Sequence, residues 1–429
     1  MEKIKNNKIV HNFLSLASVQ VLNYVLPIIT LPYLMRVVGV SHFGLISFAQ
    51  AIMQYFILFT DYGFNLIATR DISKVRDDKE KVSKMFSSVM AAKLILLLFS
   101  FVFLALLVFF VPKFRNDALI YVFTFGMVVG NVLFPTWFFQ GIEEMKVISL
   151  LNVFSKLIFT IGIFFVVKQP EDYLNAAILN SLGFILIGVI SLFIVFFKYK
   201  IKIIIPSWHD ISSQMREGWD IFISNMFSSL YTTSNTVILG FIASNTIVGY
   251  FSAADKIIKA CSSVISPIIQ AVYPHISIVL EKSKEEALLL IRKIGLIITV
   301  VIGAGCFVLL FGSSIILPLF AGSSYDNSIV LIQIMSFLPL IIGWANVLGV
   351  LTLINFGYQK QLSRIYIYSS IFSILTTLIL VPLFKEVGTA INVTLIESIV
   401  TIAMYVVLRR KGINIIKGTI ENKEEVKIL

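Results

Sequence analysis

Residues 85–111 read MFSSVMAAKLILLLFSFVFLALLVFFV, an apolar run that contains a single charge, Lys93. A helix that crosses a bilayer needs about 20 predominantly apolar residues, so this run is long enough to span a membrane. The rest of the chain has the same character: of 429 residues, 58% are hydrophobic and 14% are charged, and the mean hydropathy is +0.92. Soluble proteins carry about 25% charged residues. The composition therefore excludes a water-soluble enzyme.

Similar apolar runs, separated by charged or turn-rich segments, predict twelve transmembrane helices. They lie near residues 10–38, 43–67, 85–111, 118–139, 148–167, 174–197, 218–242, 246–279, 288–312, 328–353, 364–384 and 388–408. Twelve spanning helices leave only short connections between them. We therefore expect an all-α polytopic membrane protein without a sizeable extramembrane domain.

The basic residues predict the orientation of these helices. With the N-terminus inside, 26 of the 35 lysines and arginines fall in segments on the cytoplasmic side. The opposite side carries five of them, Arg36, Lys113, Arg115, Lys168 and Lys385. Cytoplasmic loops are the ones enriched in Lys and Arg, so we expect both termini in the cytoplasm. The net charge of +11 then marks a basic membrane face and does not indicate nucleic-acid binding.

Residues suited to catalysis or metal binding do not form a recognisable motif. Cys261 and Cys306 both lie in apolar stretches, and the four histidines are scattered without the spacing of metal ligands. The chain contains no phosphate-binding loop, no Gly-x-Ser-x-Gly elbow and no His-Glu-x-x-His motif. We therefore expect neither a catalytic site nor a metal or cofactor within this chain.

A weak internal repeat indicates how the helices are arranged. FGLISFAQAI, residues 43–52, aligns with VGYFSAADKI, residues 248–257, with four identities in ten positions, each at the start of an even-numbered span. Six spans separate the copies, so both copies have the same orientation. We expect two six-helix lobes, residues 1–205 and residues 206–429 with a short cytoplasmic tail, around a central cavity. Such an arrangement is typical of a transporter that works by alternating access.

The deepest basic residues lie in the eighth span, which begins with the second copy of the repeat. Lys256 and Lys259 lie roughly 15 to 20 Å along the eighth span and share one helical face because they are three residues apart. An ionisable group at this depth indicates a cavity or a partner. Asp255 precedes Lys259 by four residues, so the alternative is an internal ion pair. We predict that both lysines line the cavity.

Three further basic residues are weaker candidates for the same cavity. Lys93 and Lys156 lie one to two turns inside the cytoplasmic ends of their spans, where a long side chain can also reach the headgroups. Arg36 lies at the outer end of the first span, where it can also anchor the helix at the interface. Because basic groups outnumber acidic ones in the spans, we expect an anionic substrate.

Three acidic residues are candidates for carrying a coupling H⁺ or Na⁺. Asp61 lies near the inner end of the second span, Asp255 in the eighth, and Glu397 about nine residues into the twelfth. Burial favours the protonated form of a carboxyl group. The alternative for each is a structural pair with a nearby base or backbone donor.

Five segments of the chain resemble a known family of transporters. They are LPYLMRVVGVSHFGLISFAQ (31–50), DYGFNLIATRDIS (61–73), FPTWFFQGIEEMK (134–146), VGYFSAADKIIKA (248–260) and YPHIS (273–277). These segments are similar to those of the O-antigen flippases, the Wzx proteins. That family belongs to the multidrug, oligosaccharidyl-lipid and polysaccharide exporter superfamily. The resemblance covers nearly the whole chain.

The resemblance implies a specific activity. It implies two six-helix lobes that move an undecaprenyl-diphosphate-linked oligosaccharide from the inner to the outer leaflet of a bacterial cytoplasmic membrane. Lys256 and Lys259 would bind the diphosphate, with Arg36, Lys93 and Lys156 as outer members of the site. The partners implied are membrane lipids and the O-antigen polymerase and chain-length regulator. Most of these candidates are lysines, which favours a point-charge attraction over a bidentate clamp.

Other functions remain open at this point. A cation-coupled multidrug exporter of the same superfamily would require a negatively charged cavity, which the lysines in the spans disfavour. A membrane glycosyltransferase or polymerase of the same pathway usually needs a substantial outer loop, and the longest one here, about residues 313–327, is short. A structural subunit of a biosynthetic complex is the third alternative.

Overall fold

The computed structural model describes the backbone of residues 2–420, and the side chains of these residues other than 2–21, 23, 24, 231 and 232. The described part of the chain is almost entirely helical. The helices are α1 Glu2–Asp61, α2 Phe64–Val75, α3 Lys79–Phe110, α4 Pro112–Asn116, α5 Ala118–Leu133, α6 Thr136–Gly141, α7 Met145–Val166, α8 Tyr173–Phe193, α9 Trp208–Thr232, α10 Ser234–Ile242, α11 Asn245–Ser263, α12 Ile265–Lys282, α13 Lys284–Ala321, α14 Ser328–Met335, α15 Leu338–Asn346 and α16 Gln359–Arg410.

Shorter elements connect or extend these helices. Two 3₁₀ turns cover Pro170–Asp172 and Ser323–Tyr325, and π-helical turns at Ile194–Lys198 and Val347–Ile354 extend α8 and α15. After α16, the strands β1 (Ile413–Asn414) and β2 (Thr419–Ile420) form a small antiparallel hairpin in which Ile413 pairs with Ile420.

Nine helical segments within the described residues are long and apolar enough to cross a membrane, so the chain is a multi-pass membrane protein. They are Val25–Val75, Lys79–Phe110, Ala118–Gly141, Met145–Val166, Pro170–Lys198, Asn245–Lys282, Lys284–Ala321, Ser328–Ile354 and Gln359–Arg410. Many of their large apolar side chains are exposed on the protein, such as Phe109 at 71% and Phe311 at 75%. Such surfaces suit lipid and not water.

The nine segments differ from the twelve predicted spans at three places. Backbone breaks at Gly39 (φ 71°) and Lys385 (φ 48°) interrupt α1 and α16, between the predicted spans on either side of each break. The predicted span at 218–242 falls on α9 and α10, which are separate helices and are not among the nine segments. The number twelve therefore stays a prediction.

The chain divides into two compact units, Met1–Met226 and Phe227–Leu429. In the first unit, aromatic side chains of α3, α6 and α9 build the core. Phe86 packs against Trp137 and Phe138 at centroid distances of 5.4 and 5.6 Å, and Tyr62 stacks on Phe222 at 4.8 Å. The second unit has an aliphatic core built from α12, α13, the π-helical turn Val347–Ile354 and α16. The predicted lobes 1–205 and 206–429 stay a prediction.

A non-helical connection, residues 200–207, is fixed against the start of α3. The backbone N–H of Lys202 donates to Ser83 Oγ at 3.1 Å, and that of Ile204 donates to Ser87 Oγ at 2.9 Å. The two hydroxyls lie four residues apart on a helix, about 6 Å, and two residues of extended chain advance about 6.6 Å. The two spacings match, so the connection runs along the helix and both donors find an acceptor.

Helices α5 and α8 approach each other through glycines. Gly126 and Gly130 lie four residues apart on α5, and a Cβ added at Gly130 would lie 2.3 Å from the carbonyl carbon of Phe184. On α8, a Cβ added at Gly188 would lie 2.9 Å from the carbonyl oxygen of Gly130. Small residues at this spacing allow close backbone contact between membrane helices.

We predict that Gly130→Ala destabilises the protein, because the methyl group would meet backbone that cannot rotate away. Overpacking of this kind costs about 1–3 kcal/mol. The measurement is the thermal unfolding midpoint of the purified protein in detergent. Gly305→Ala is the matched control, since nothing lies within 4 Å of a Cβ at Gly305. Equal midpoints for the two variants would contradict the close contact between α5 and α8.

Candidate functional site

The structure distributes the eight predicted site residues equally between the two units. The first unit holds Arg36, Asp61, Lys93 and Lys156, and the second holds Asp255, Lys256, Lys259 and Glu397. Within each unit, one lysine is paired with one aspartate.

In the first unit, Lys93 and Asp61 form an ion pair. Lys93 Nζ on α3 donates to Asp61 Oδ1 at 2.8 Å, and the lysine side chain is 1% exposed while the aspartate is 22% exposed. Asp61 is the last residue of α1, and the chain turns sharply after it through Tyr62 and Gly63, both with positive φ. A buried cation requires a partner of opposite charge. The Lys93 side chain therefore does not extend to the lipid headgroups, and its charge is neutralised by Asp61 within the protein.

Arg36 and Lys156 have different surroundings. Arg36 is exposed and lies three residues before the break at Gly39, whereas Lys156 is half-buried in the middle of α7. One turn after Lys156, the hydroxyl of Thr160 shares a hydrogen bond of 2.9 Å with Thr30 of α1. This contact connects the two helices that carry Arg36 and Lys156. Both basic residues also make polar interactions of their own.

In the second unit, Lys259 is paired with Asp255. The two lie one turn apart on α11, with Lys259 Nζ 2.8 Å from Asp255 Oδ2. Asp255 is 14% exposed and Lys259 is 63% exposed, so the ammonium group is accessible despite the pair. Lys256 lies on the same helix, is half-buried and also has an interaction partner. The ion pair that the sequence left as the alternative is therefore present.

Glu397 belongs to the same cluster as Asp255 and Lys259. All three line a cavity of about 70 Å³ in the second unit, together with Asn235. Glu397 also lines a second cavity of about 140 Å³, where Tyr366 is another lining residue. A single water needs roughly 10–15 Å³ of such space. Both cavities can hold a few waters or a small ion beside a carboxylate, and both are too small for a sugar diphosphate.

A buried polar network lies next to this cluster, and the sequence did not predict it. Asn392 Nδ2 donates to Asn235 Oδ1 at 2.9 Å and to Thr377 Oγ1 at 2.7 Å, and all three side chains are buried. The network connects α10 to the two parts of α16 on either side of Lys385. Single neutral polar residues do not interrupt a hydropathy pattern. The feature of the sequence that could have indicated this network is the presence of asparagine within apolar spans.

We predict strong energetic coupling between Asp61 and Lys93. Asp61→Asn leaves a buried cation without its counter-charge, and breaking a buried pair costs about 3–5 kcal/mol. Lys93→Met leaves the more exposed partner unpaired, so we expect a smaller loss. The double variant should be more stable than Asp61→Asn alone. Thermal unfolding of the four proteins gives the coupling energy, for which we expect at least about 1 kcal/mol.

The exposed pair Arg70–Glu217 provides the control for this cycle. Its N–O distance is also 2.8 Å, but its side chains are 53% and 46% exposed. Exposed pairs contribute little because solvent screens them, so the same cycle should show no measurable coupling there. Additive effects at Asp61 and Lys93 would mean that their contact does not contribute to stability.

Comparison with known proteins identifies the family. A family model described as polysaccharide biosynthesis protein matches residues 9–280. A candidate O-antigen transporter of Escherichia coli (strain K12) is 37% identical over 398 residues, which cover 93% of this chain and 96% of that protein. Another, from Shigella dysenteriae, is 32% identical over 397 residues, which cover 92% of this chain and 98% of that protein.

Solved structures share the fold at low sequence identity. The lipid II flippase MurJ in an inward closed conformation matches with a TM-score of 0.70 and 14% identity, over 92% of this chain and 87% of that chain. An inward-facing multidrug resistance transporter of the MATE family and MOP superfamily matches with a TM-score of 0.65 and 13% identity, over 90% of this chain and 94% of that chain. The resemblance inferred from the five sequence segments is thus confirmed. The chain belongs to the polysaccharide biosynthesis protein family, and it is a membrane transporter and not an enzyme.

Proposed function

We propose that the protein is a flippase for lipid-linked glycans. It would move an undecaprenyl-diphosphate-linked O-antigen repeat unit, or a similar surface-polysaccharide unit, from the cytoplasmic to the outer leaflet of the bacterial inner membrane by alternating access. The observation that carries this proposal is the similarity, over more than nine-tenths of the chain, to two proteins named for O-antigen transport. Transport of this kind requires a binding site and two conformations, and no cofactor.

The diphosphate of such a substrate accounts for basic residues within an apolar chain. Moving a diphosphate through a membrane protein requires counter-charges, and lysine or arginine forms strong, charge-assisted hydrogen bonds with phosphate oxygens. We assign the main contacts to Lys256 and Lys259, with Arg36 and Lys156 as outer members. Lys93 is 1% exposed and paired with Asp61, so it could contribute only after that pair opens.

The pair Asp255–Lys259 offers a way to couple an ion to the substrate. The carboxylate of Asp255 and the diphosphate would compete for the ammonium group of Lys259, whose side chain is 63% exposed. Binding of H⁺ or Na⁺ at Asp255 neutralises the carboxylate and releases Lys259 for the substrate. Glu397 lines the same cavity and is the second candidate carrier of the ion. Asp61 is the third, although its charge is already balanced by Lys93.

Alternating access restricts how tightly the diphosphate is held. A site that bound it much more tightly in one conformation would trap the protein in that state. Lysines are suited to moderate binding, because an ammonium group does not form the bidentate contact that a guanidinium forms with phosphate. We therefore expect similar affinity for the headgroup in both conformations.

We place both termini in the cytoplasm, because this orientation puts 26 of the 35 basic residues on the inner side. The substrate would then enter from the face where lipid-linked repeat units are assembled. After flipping, the unit would pass to the O-antigen polymerase and its chain-length regulator. These two proteins are the partners that we propose, together with membrane lipids.

We predict that deletion of the gene traps the lipid-linked glycan. The measurement is a separate assay of undecaprenyl-linked repeat units on each face of the inner membrane, together with surface polysaccharide. We expect accumulation on the cytoplasmic face and loss of the surface polysaccharide. Normal glycan display with increased sensitivity to cationic drugs would instead identify a multidrug exporter.

A second prediction tests the two lysines of α11. Lys256→Ala and Lys259→Ala should each reduce flipping at least tenfold, because a hydrogen bond to a charged group contributes about 1.5–3 kcal/mol and 1.4 kcal/mol corresponds to tenfold. Lys256→Arg should retain much of the activity, since the positive charge is the proposed requirement. Lys360→Ala is the control at an exposed lysine. Wild-type flipping by both alanine variants, at normal abundance in the membrane, would remove the assignment.

A further inference from the structure

A basic groove in the first unit is not used by the proposed transport site. It has a volume of about 570 Å³ and is lined by Lys79, Glu80, Ser83, Lys200, Lys202 and Ile204. One wall is the first turn of α3, and the other is the connection 200–207. A volume in this range is typical of sites for small ligands.

The two walls of the groove are fixed to each other. Ser83 accepts the N–H of Lys202, and its own hydroxyl donates to the carbonyl oxygen of Lys79 at 2.6 Å. The next hydrogen bond, from Ile204 to Ser87, continues the contact along α3. The backbone positions that carry Lys79 and Lys202 are therefore held together before any ligand binds, which reduces the entropy cost of binding.

The charge of the groove is positive. It is lined by three lysines and a single acid, Glu80. Within the described part of the chain, none of the three lysines forms an ion pair with a carboxylate. The partial positive charge at the N-terminus of α3 does not add to the charge of the groove. Asp78 caps this end of the helix and accepts hydrogen bonds from the backbone N–H groups of Glu80 and Lys81. The hydrogen bond from the Lys81 backbone N–H is the largest of the effects that lower the pKa of Asp78. The Asp78 carboxylate that caps the helix therefore stays ionised.

The outer side of the same connection is apolar. Ile203 and Ile205 are 75% and 94% exposed, and Trp208, the first residue of α9, is 70% exposed. In a membrane protein, exposed aliphatic side chains next to lysines and a tryptophan are typical of the interface, where apolar groups enter the acyl region and ammonium groups reach the headgroups. This combination of residues suits a groove at the level of the lipid phosphates.

We propose that this groove binds the phosphate of a membrane lipid, with the lipid chain lying along Ile203 and Ile205. Three lysines supply the charge for an anionic headgroup, and the apolar flank selects a lipid over a soluble phosphate. The proposal goes beyond transport and depends only on insertion in a membrane. The phosphate can belong to an anionic phospholipid or to the undecaprenyl-linked substrate, and the experiment separates these sources.

The test is native mass spectrometry of the delipidated full-length protein with dioleoylphosphatidylglycerol. The variant is Lys79→Gln combined with Lys200→Gln and Lys202→Gln. Lysines near a membrane surface attract anionic lipid, so we expect that loss of all three lowers the affinity at least tenfold. The control makes the same charge change at three other exposed lysines, Lys282, Lys284 and Lys360. It should change the affinity less than threefold.

Two further variants keep the test independent of folding. Lys202→Arg keeps the charge and should retain binding, whereas Ile203→Ser combined with Ile205→Ser should weaken binding of the lipid. Equal losses in the groove variant and the control would overturn the proposal, because binding would then follow net charge alone. Displacement of the lipid by an equal concentration of inorganic pyrophosphate would also overturn it, because the site would not require a lipid.

Undecaprenyl diphosphate as a second probe identifies the source of the phosphate. Binding at least tenfold tighter than phosphatidylglycerol, lost in the groove variant, supports the site and assigns it to the transported lipid. Equal affinity for the two lipids supports the site and assigns it to bulk anionic phospholipid. Lipid binding is measured without flipping, so failure of this proposal and failure of the proposed transport are distinguishable.

Discussion

The structure depends on one constraint, which is that a charge in an apolar environment requires a partner. Lys93 satisfies it with Asp61, which lies more than thirty residues away in sequence, and Lys259 satisfies it with Asp255, one helical turn away. The same constraint explains the buried network of Asn235 and Asn392, whose amides find each other and Thr377. The pair Lys93–Asp61 and the asparagine network also connect different helices, so these contacts both neutralise a charge or dipole and fix the helix packing. The pair Asp255–Lys259 lies within α11 and only neutralises charge.

A charge that is already neutralised can act on a substrate only by exchanging its partner. The two ion pairs differ in this respect. Lys93 is enclosed by protein, so opening its ion pair would leave a buried cation without a counter-charge. Lys259, in contrast, is 63% exposed beside Asp255. Exchange is therefore far less costly in the second unit. One of the two cavities at Glu397 is also lined by Asp255 and Lys259, and it is large enough for a few waters beside both acids.

Sequence reasoning predicted the membrane fold and the family, because both depend on hydropathy and local motifs. It gave the pair Asp255–Lys259 only as the alternative to cavity lining, on the basis of a spacing of four residues. It could not predict the pair Asp61–Lys93, since nothing local links two residues on different helices. The break at Gly39 fits a boundary between predicted spans, and glycine tolerates a positive φ. The break at Lys385 also falls between two predicted spans, but its positive φ could not be predicted, because lysine rarely adopts that conformation. The groove at Lys202 was also missed, since its walls come from separate segments of the chain.

The aligned segments 43–52 and 248–257 show how the two units differ in charge. All four identities are buried in both units: Gly44 and Gly249, Ser47 and Ser252, Ala49 and Ala254, Ile52 and Ile257. With the same offset, Gln50, Ala51 and Gln54 of the first unit take the positions of Asp255, Lys256 and Lys259. Gln54 is exposed as Lys259 is, and Gln50 is half-buried as Asp255 is. The shared residues are therefore buried where the helix packs, whereas the three charges occur in the second unit at the positions of Gln50, Ala51 and Gln54 in the first. A function that depends on these three charges is therefore specific to the second unit, and the repeat does not predict it for the first unit.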